Sequence, residues 1–107
     1  MLCFTATVDF NGKWTGEIKV PKGRKYTVTY IFKVTNNNIS GSLEDDVDLM
    51  EINQGRASGN DIDFSAVNQT GTVFVHSGKY HAGDDSISMD IIVDGKKLHT
   101  TLYRVPG

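Results

Sequence analysis

Cysteine is nearly absent from this chain: Cys3 is the only one among 107 residues. A lone thiol makes no internal disulfide, so the fold must stand on its hydrophobic core. Its place near a terminus fits a small passive hydrophobe rather than a nucleophile. Proline is scarce as well. Pro21 and Pro106 are the two that occur, which leaves the interior free of strand breakers. No run approaches the ~18 apolar residues of a membrane-spanning helix. Met1-Leu2-Cys3-Phe4 is too short, and lacks the charged lead, for an intact secretory signal. Basic charge is not in excess either: 11 Lys and Arg face 13 Asp and Glu, for a net charge of −2. Without a basic surface, nucleic acid is excluded as the main partner. Finally, no long segment carries the 3.6-residue apolar period of an amphipathic helix.

What is present reads as strands. Hydrophobic residues make up 38% and charged residues 22% of the chain, the composition of one ordinary globular domain. Eleven glycines fall mostly between hydrophobic runs, the punctuation of a meander of short strands. Residues 1–11 form a lead-in, which as an extra strand would alternate weakly through Phe4, Ala6, Val8 and Phe10. Residues 12–105 form the domain proper.

The first firm strand, 12–20, carries the only tryptophan. Trp14, Gly16, Ile18 and Val20 share one face, and Lys13, Thr15, Glu17 and Lys19 share the other. That two-residue period belongs to a half-buried strand. After a turn at Pro21-Lys22-Gly23-Arg24, the second strand, 25–35, turns Tyr26, Val28, Tyr30, Phe32 and Val34 inward and is rich in the β-branched and aromatic types that suit a pleated surface. Asn36-Asn37-Asn38 makes the next turn. A third strand then points Ile39, Gly41 and Leu43 inward. The fourth, 49–57, has no settled phase through Leu49, Met50 and Ile52, which marks a β-bulge or a late start. The fifth buries Ile62, Phe64 and Ala66. The sixth, 72–81, has two phases. Burying Phe74, His76, Gly78 and Tyr80 is favoured, because the alternative puts Lys79 inside. The seventh buries Ile87, Met89, Ile91 and Val93, and Asp94-Gly95 signals a two-residue hairpin of the primed type. The last, 97–105, aligns Leu98, Thr100, Leu102 and Arg104.

Eight consecutive strands with tight turns make an all-β, antiparallel up-and-down sheet. Left open, it would expose two unpaired edges; closing it into a single β-barrel removes both. A two-sheet sandwich is the competitor. It needs a long link, for which the acidic segment 44–48 is the only candidate.

Gly12-Lys13-Trp14 on the first strand and Leu102-Tyr103-Arg104 on the last resemble the signature of the calycins, the group that includes lipocalins and streptavidin-like barrels. The resemblance implies that Trp14 opens the barrel and that Arg104 crosses over its indole to seal one end. A guanidinium over an indole is favourable by ~1–2 kcal/mol when desolvated. The likeness concerns the fold and carries over no ligand.

Chemistry-bearing residues are few. Tyr26, Tyr30, His76 and Tyr80 fall on inward phases, joined by Thr100 and Arg104. Buried hydroxyls and imidazoles need partners, so these residues either line a pocket near one mouth or sit as satisfied core and rim groups. His76, His81 and His99 do not share a face and have no cysteine pair beside them, so no metal is expected. Glu44, Asp45, Asp46 and Asp48 lack the glycine and the spaced oxygens of a calcium loop and read as a solvated turn, as do Asp84 and Asp85. Nucleophile-elbow, phosphate-loop and zinc-protease motifs are missing, so no catalytic residue, no cofactor and no enzymatic activity are expected.

Two functions remain. One is a barrel that binds a small amphipathic molecule in a mouth lined by Tyr26, Tyr30, His76 and Tyr80. The other is a filled barrel that works as an accessory module through its outer face, or as a homo-oligomer. Clustering of the outward residues Ile31, Val73, Val75, Ile92 and Val105 would favour the second.

Overall fold

A computed structural model describes residues 8–19, 25–45 and 48–106. Among them are eight strands: β1 (Gly12–Lys19), β2 (Lys25–Thr35), β3 (Asn38–Glu44), β4 (Leu49–Ser58), β5 (Asp61–Val67), β6 (Val73–His81), β7 (Ser86–Val93) and β8 (Lys96–Arg104). Each pairs antiparallel with the next, and β8 returns to β1, so the sheet closes into a barrel. The sandwich is thereby excluded: the acidic segment joins the adjacent strands β3 and β4 and makes no crossover. No helix among the described residues is long and apolar enough to cross a membrane.

Alternation does most of the folding. The residues that alternate inward are buried, among them Trp14, Val28, Tyr30, Phe32, Ile62, Phe64, Ile87, Met89 and Leu102. Strand six takes the phase that keeps Lys79 outside, with His76 buried and Phe74, Gly78 and Tyr80 half-buried. Tight turns set the register. Asn36-Asn37, Gly59-Asn60 and Asp94-Gly95 each join strands whose flanking residues are paired. In the last, both Asp94 and Gly95 have positive φ, as a type I′ hairpin demands.

Strand four resolves into two inward stretches. Met50 and Ile52 point inward, the register against β5 shifts between Asn53 and Arg56, and Gly55 and Ala57 then take over the inner face. Gln54 occupies the left-handed region, φ 54°. The neighbouring glycine is committed elsewhere, since a Cβ on Gly55 would run into the Ile39 carbonyl of β3. Leu49 stays outside, 65% exposed.

The barrel has two distinct ends. At one end β1 begins and β8 finishes, beside the 36–37, 59–60 and 82–85 connections. At the other lie the 68–72 and 94–95 connections. Of the lead-in, residues 8–11 are described and contribute no strand; instead Phe10 is buried at the first end. The expected features at residues 1–7, Val20, the 21–24 turn and Asp46 lie outside the described residues.

Candidate functional site

The first end is sealed by the arginine of the last strand. Trp14 and Arg104 are paired across the β1–β8 seam, and the guanidinium carbon stands 4.2 Å from the indole ring centre. The indole N–H donates to the Phe10 carbonyl at 3.0 Å. The rings of Phe10 and Trp14 each pack T-shaped with Tyr80, with centroids 6.1 and 6.3 Å apart. Arg104 donates from Nε to Asp85 at 3.0 Å, and to the carbonyls of Asn11 and Asp9 at 3.1 and 3.0 Å. Tyr80 donates to the same Asp85 carboxylate at 2.7 Å. Hydrogen bonds from Arg104 and then Tyr80 hold the Asp85 carboxyl below its usual range. The same bond to Asp85 raises the Tyr80 phenol.

A second polar group lies in the middle of the barrel. Tyr30 from β2 and His76 from β6 meet with hydroxyl oxygen and Nε2 3.0 Å apart. His76 Nδ1 is 3.1 Å from the Phe74 carbonyl. A carbonyl only accepts, so Nδ1 carries the proton and Nε2 receives the Tyr30 hydroxyl. Burial pushes the imidazole pKa from 6.5 down to about 4 and raises the Tyr30 phenol, so both are neutral near pH 7. Phe64 stacks on the imidazole, 4.3 Å between centroids, and Phe32 and Tyr30 pack edge-on to Phe64. Among the described residues no buried side-chain nitrogen or oxygen is left without a partner.

Of the four tyrosines and histidines expected around one mouth, Tyr30 and His76 are brought together and fully enclosed. Tyr80 belongs to the sealed end, bonded to Asp85. Tyr26 is half-buried toward the other end, paired with Ile18. The reason is barrel height. Residues four apart on one strand share a face but lie roughly 13 Å apart along it, so inward phase alone does not bring Tyr26 to Tyr30 or His76 to Tyr80.

Three contributors lie outside the expected site: Asp85, which the sequence reads as a solvated turn residue but whose carboxylate is held by Arg104 and Tyr80, together with Phe10 and Gly16. Asp85 has a usable signal, because its neighbour Ser86 pairs with Tyr103 and so brings the carboxylate beside Arg104. Phe10 sits four residues before Trp14 on the weak inward alternation of the lead-in. Gly16 follows Trp14 on the inner face, where a Cβ would lie 2.7 Å from the Thr101 carbonyl and the Thr100 hydroxyl.

Outside the barrel, apolar residues cluster on β5–β7. Val67 pairs with Val73, and Val75 pairs with Ile92; all four are 41–49% exposed. Ile31, 44% exposed on β2, lies away from this strip. His81 bonds Ser88 and His99 bonds Asp90, both on the outer face. Among the described residues no three His, Cys, Asp or Glu are grouped to hold a metal ion. Surface depressions include one of about 580 Å³ over the β1–β8 seam, one of about 410 Å³ beside Arg104 and Gly12, and one of about 360 Å³ beside the β4 bulge.

No protein-family model matches the chain, and no curated protein sequence matches it. Among solved structures it is similar to a fluorescence-activating β-barrel of de novo design, with a TM-score of 0.65 and 14% sequence identity over 97% of this chain and 100% of that one. The likeness is one of fold: it speaks for a β-barrel and does not single out the calycins.

Proposed function

We propose that this domain is a non-enzymatic binding module with a filled interior, working through the outer face of its barrel. The observation that carries the reading is the Tyr30–His76 pair, enclosed among Phe32, Phe64 and aliphatic side chains. A ligand entering that level would have to break a satisfied polar pair and displace packed rings, both costly. The same reading takes the barrel as calycin-like in design, with Arg104 over Trp14 as its support.

A second reading keeps a small amphipathic ligand at the mouth opposite the sealed end. Half-buried Tyr26, Phe74 and Leu98 on inward phases favour it. So does the likeness to a barrel described as fluorescence-activating.

Native mass spectrometry together with titration of an environment-sensitive dye, 1-anilinonaphthalene-8-sulfonate, separates the two. The module reading expects ligand-free protein and no saturable dye uptake. A co-purified small molecule displaced stoichiometrically by the dye would favour the mouth.

A further inference from the structure

The seam between the first and last strands has the fewest paired positions in the sheet among the described residues. Among the described residues, β1 pairs with β8 at Trp14–Arg104 and Thr15–Tyr103 and no further toward the end away from Arg104. Beyond that point the link is a side chain, the Thr100 hydroxyl donating to the Glu17 carbonyl at 2.8 Å. Gly16 makes this close passage feasible, since any Cβ there would strike the Thr101 backbone.

Over this seam lies the 580 Å³ depression, floored by Gly16 and edged by Thr15, Glu17, Thr27, His99, Thr101 and Tyr103. Its lining is unlike that of the apolar strip on β5–β7. It combines three threonine hydroxyls, a carboxylate, an imidazole and one half-exposed phenol ring, with no aliphatic side chain other than threonine methyls. His99 is held by its Nδ1 against Asp90 at 2.8 Å, which fixes the ring and leaves Nε2 available. Neither the Glu17 carboxylate nor the Thr27, Thr101 and Tyr103 hydroxyls has an intramolecular hydrogen-bond partner among the described residues. The Thr15 hydroxyl makes a long bond of 3.4 Å to the Val28 carbonyl.

The geometry points to a saccharide-binding site at this seam, taking a neutral oligosaccharide of two or three sugar units. A polyhydroxylated ligand offers donors and acceptors side by side, which suits a mixed row of carboxylate, hydroxyls and imidazole. The C–H face of a sugar ring packs on an aromatic platform, and Tyr103, 51% exposed, supplies one. Glu17 disfavours an anion in the groove. The inference rests on the outer-face reading and names the ligand class for one part of that face.

The test is a titration of isotope-labelled full-length protein with maltotriose, cellotriose and chitotriose, read by amide chemical shifts. Saturable shifts confined to the β1–β8 seam, around Thr15, Glu17, Thr27 and Thr101, are expected with at least one sugar. Tyr103→Ala should weaken that binding by about tenfold and Tyr103→Phe should retain most of it, with Glu17→Gln as a second loss variant. Absence of seam shifts with all three sugars on the wild-type chain overturns the saccharide site and leaves the outer-face reading standing. Saturable shifts centred instead on Tyr26, Phe74 and Leu98 overturn both.

Discussion

The Tyr30 hydroxyl reaches across the barrel from β2 to donate to Nε2 of His76 on β6, at 3.0 Å. Each group supplies what the other needs away from solvent, because the imidazole's second nitrogen is already used by the Phe74 carbonyl. The pair closes the hydrogen-bond accounting of the core and fills the space that a barrel ligand would use.

The pair should therefore behave as a unit. Tyr30→Phe leaves His76 Nε2 buried without a donor and should cost about 1–3 kcal/mol. His76→Phe strands the hydroxyl in the same way. The double variant should cost less than the sum of the two singles, a coupling that a double-mutant cycle by urea denaturation reads directly.

Mild acid should loosen the fold through His76. The unfolded imidazole takes up a proton below pH 6.5, whereas folded His76 stays neutral down to about 4. Between those values the unfolded state binds more protons, so stability falls as pH falls from 6.5 to 4, by about 3 kcal/mol in all. Below that range the contribution stops changing. Asp9, Asp85 and Asp90, all held below 3.8, lose their stabilising contributions at lower pH. Denaturation curves at about pH 7.5 and about pH 4.5 should differ in the wild type and differ much less in the Tyr30→Phe/His76→Phe variant.

At the sealed end, Trp14→Ala removes a fully buried indole and should cost about 3–5 kcal/mol. Arg104→Met removes the cation over that ring, for about 1–2 kcal/mol, and also takes away the donors to Asp85 and to the Asp9 and Asn11 carbonyls. Arg104→Lys restores charge without the fork that reaches Asp85 and two carbonyls together, so it should recover part of the loss. Calorimetric midpoints read the order. A Trp14→Ala variant that melts like the wild type would contradict the sealing role.

Much of this was legible in the sequence because barrel strands obey a two-residue period with one dry face. Trp14, Tyr30, Phe64, His76 and Leu102 all point as their alternation requires. The β4 bulge was visible only as a broken rhythm. Its left-handed residue is Gln54, while Gly55, the residue that pattern reasoning favours for such a backbone, is consumed by close contact with Ile39. Depth along the barrel axis was not legible at all: phase gives the face of a residue, while strand tilt and register give its level. For that reason Tyr80 joins Arg104 and Asp85 rather than His76.

Gly16→Ala tests the seam. The added methyl would press on the Thr101 backbone, which has no flexible end to move aside. A loss of about 1–3 kcal/mol is expected, with amide exchange accelerated first along β1 and β8. Uniform acceleration across the barrel would argue against a local seam.

The most direct measurement follows the isoleucine methyls that line the barrel, Ile52, Ile62, Ile87 and Ile91, in a selectively labelled sample titrated with dodecanoate. A filled barrel with its binding surface outside predicts that these signals stay unmoved while the sample remains folded. Saturable shifts of Ile62 and Ile87, accompanied by a change at the His76 ring, would mean that the interior admits a ligand and would contradict the account.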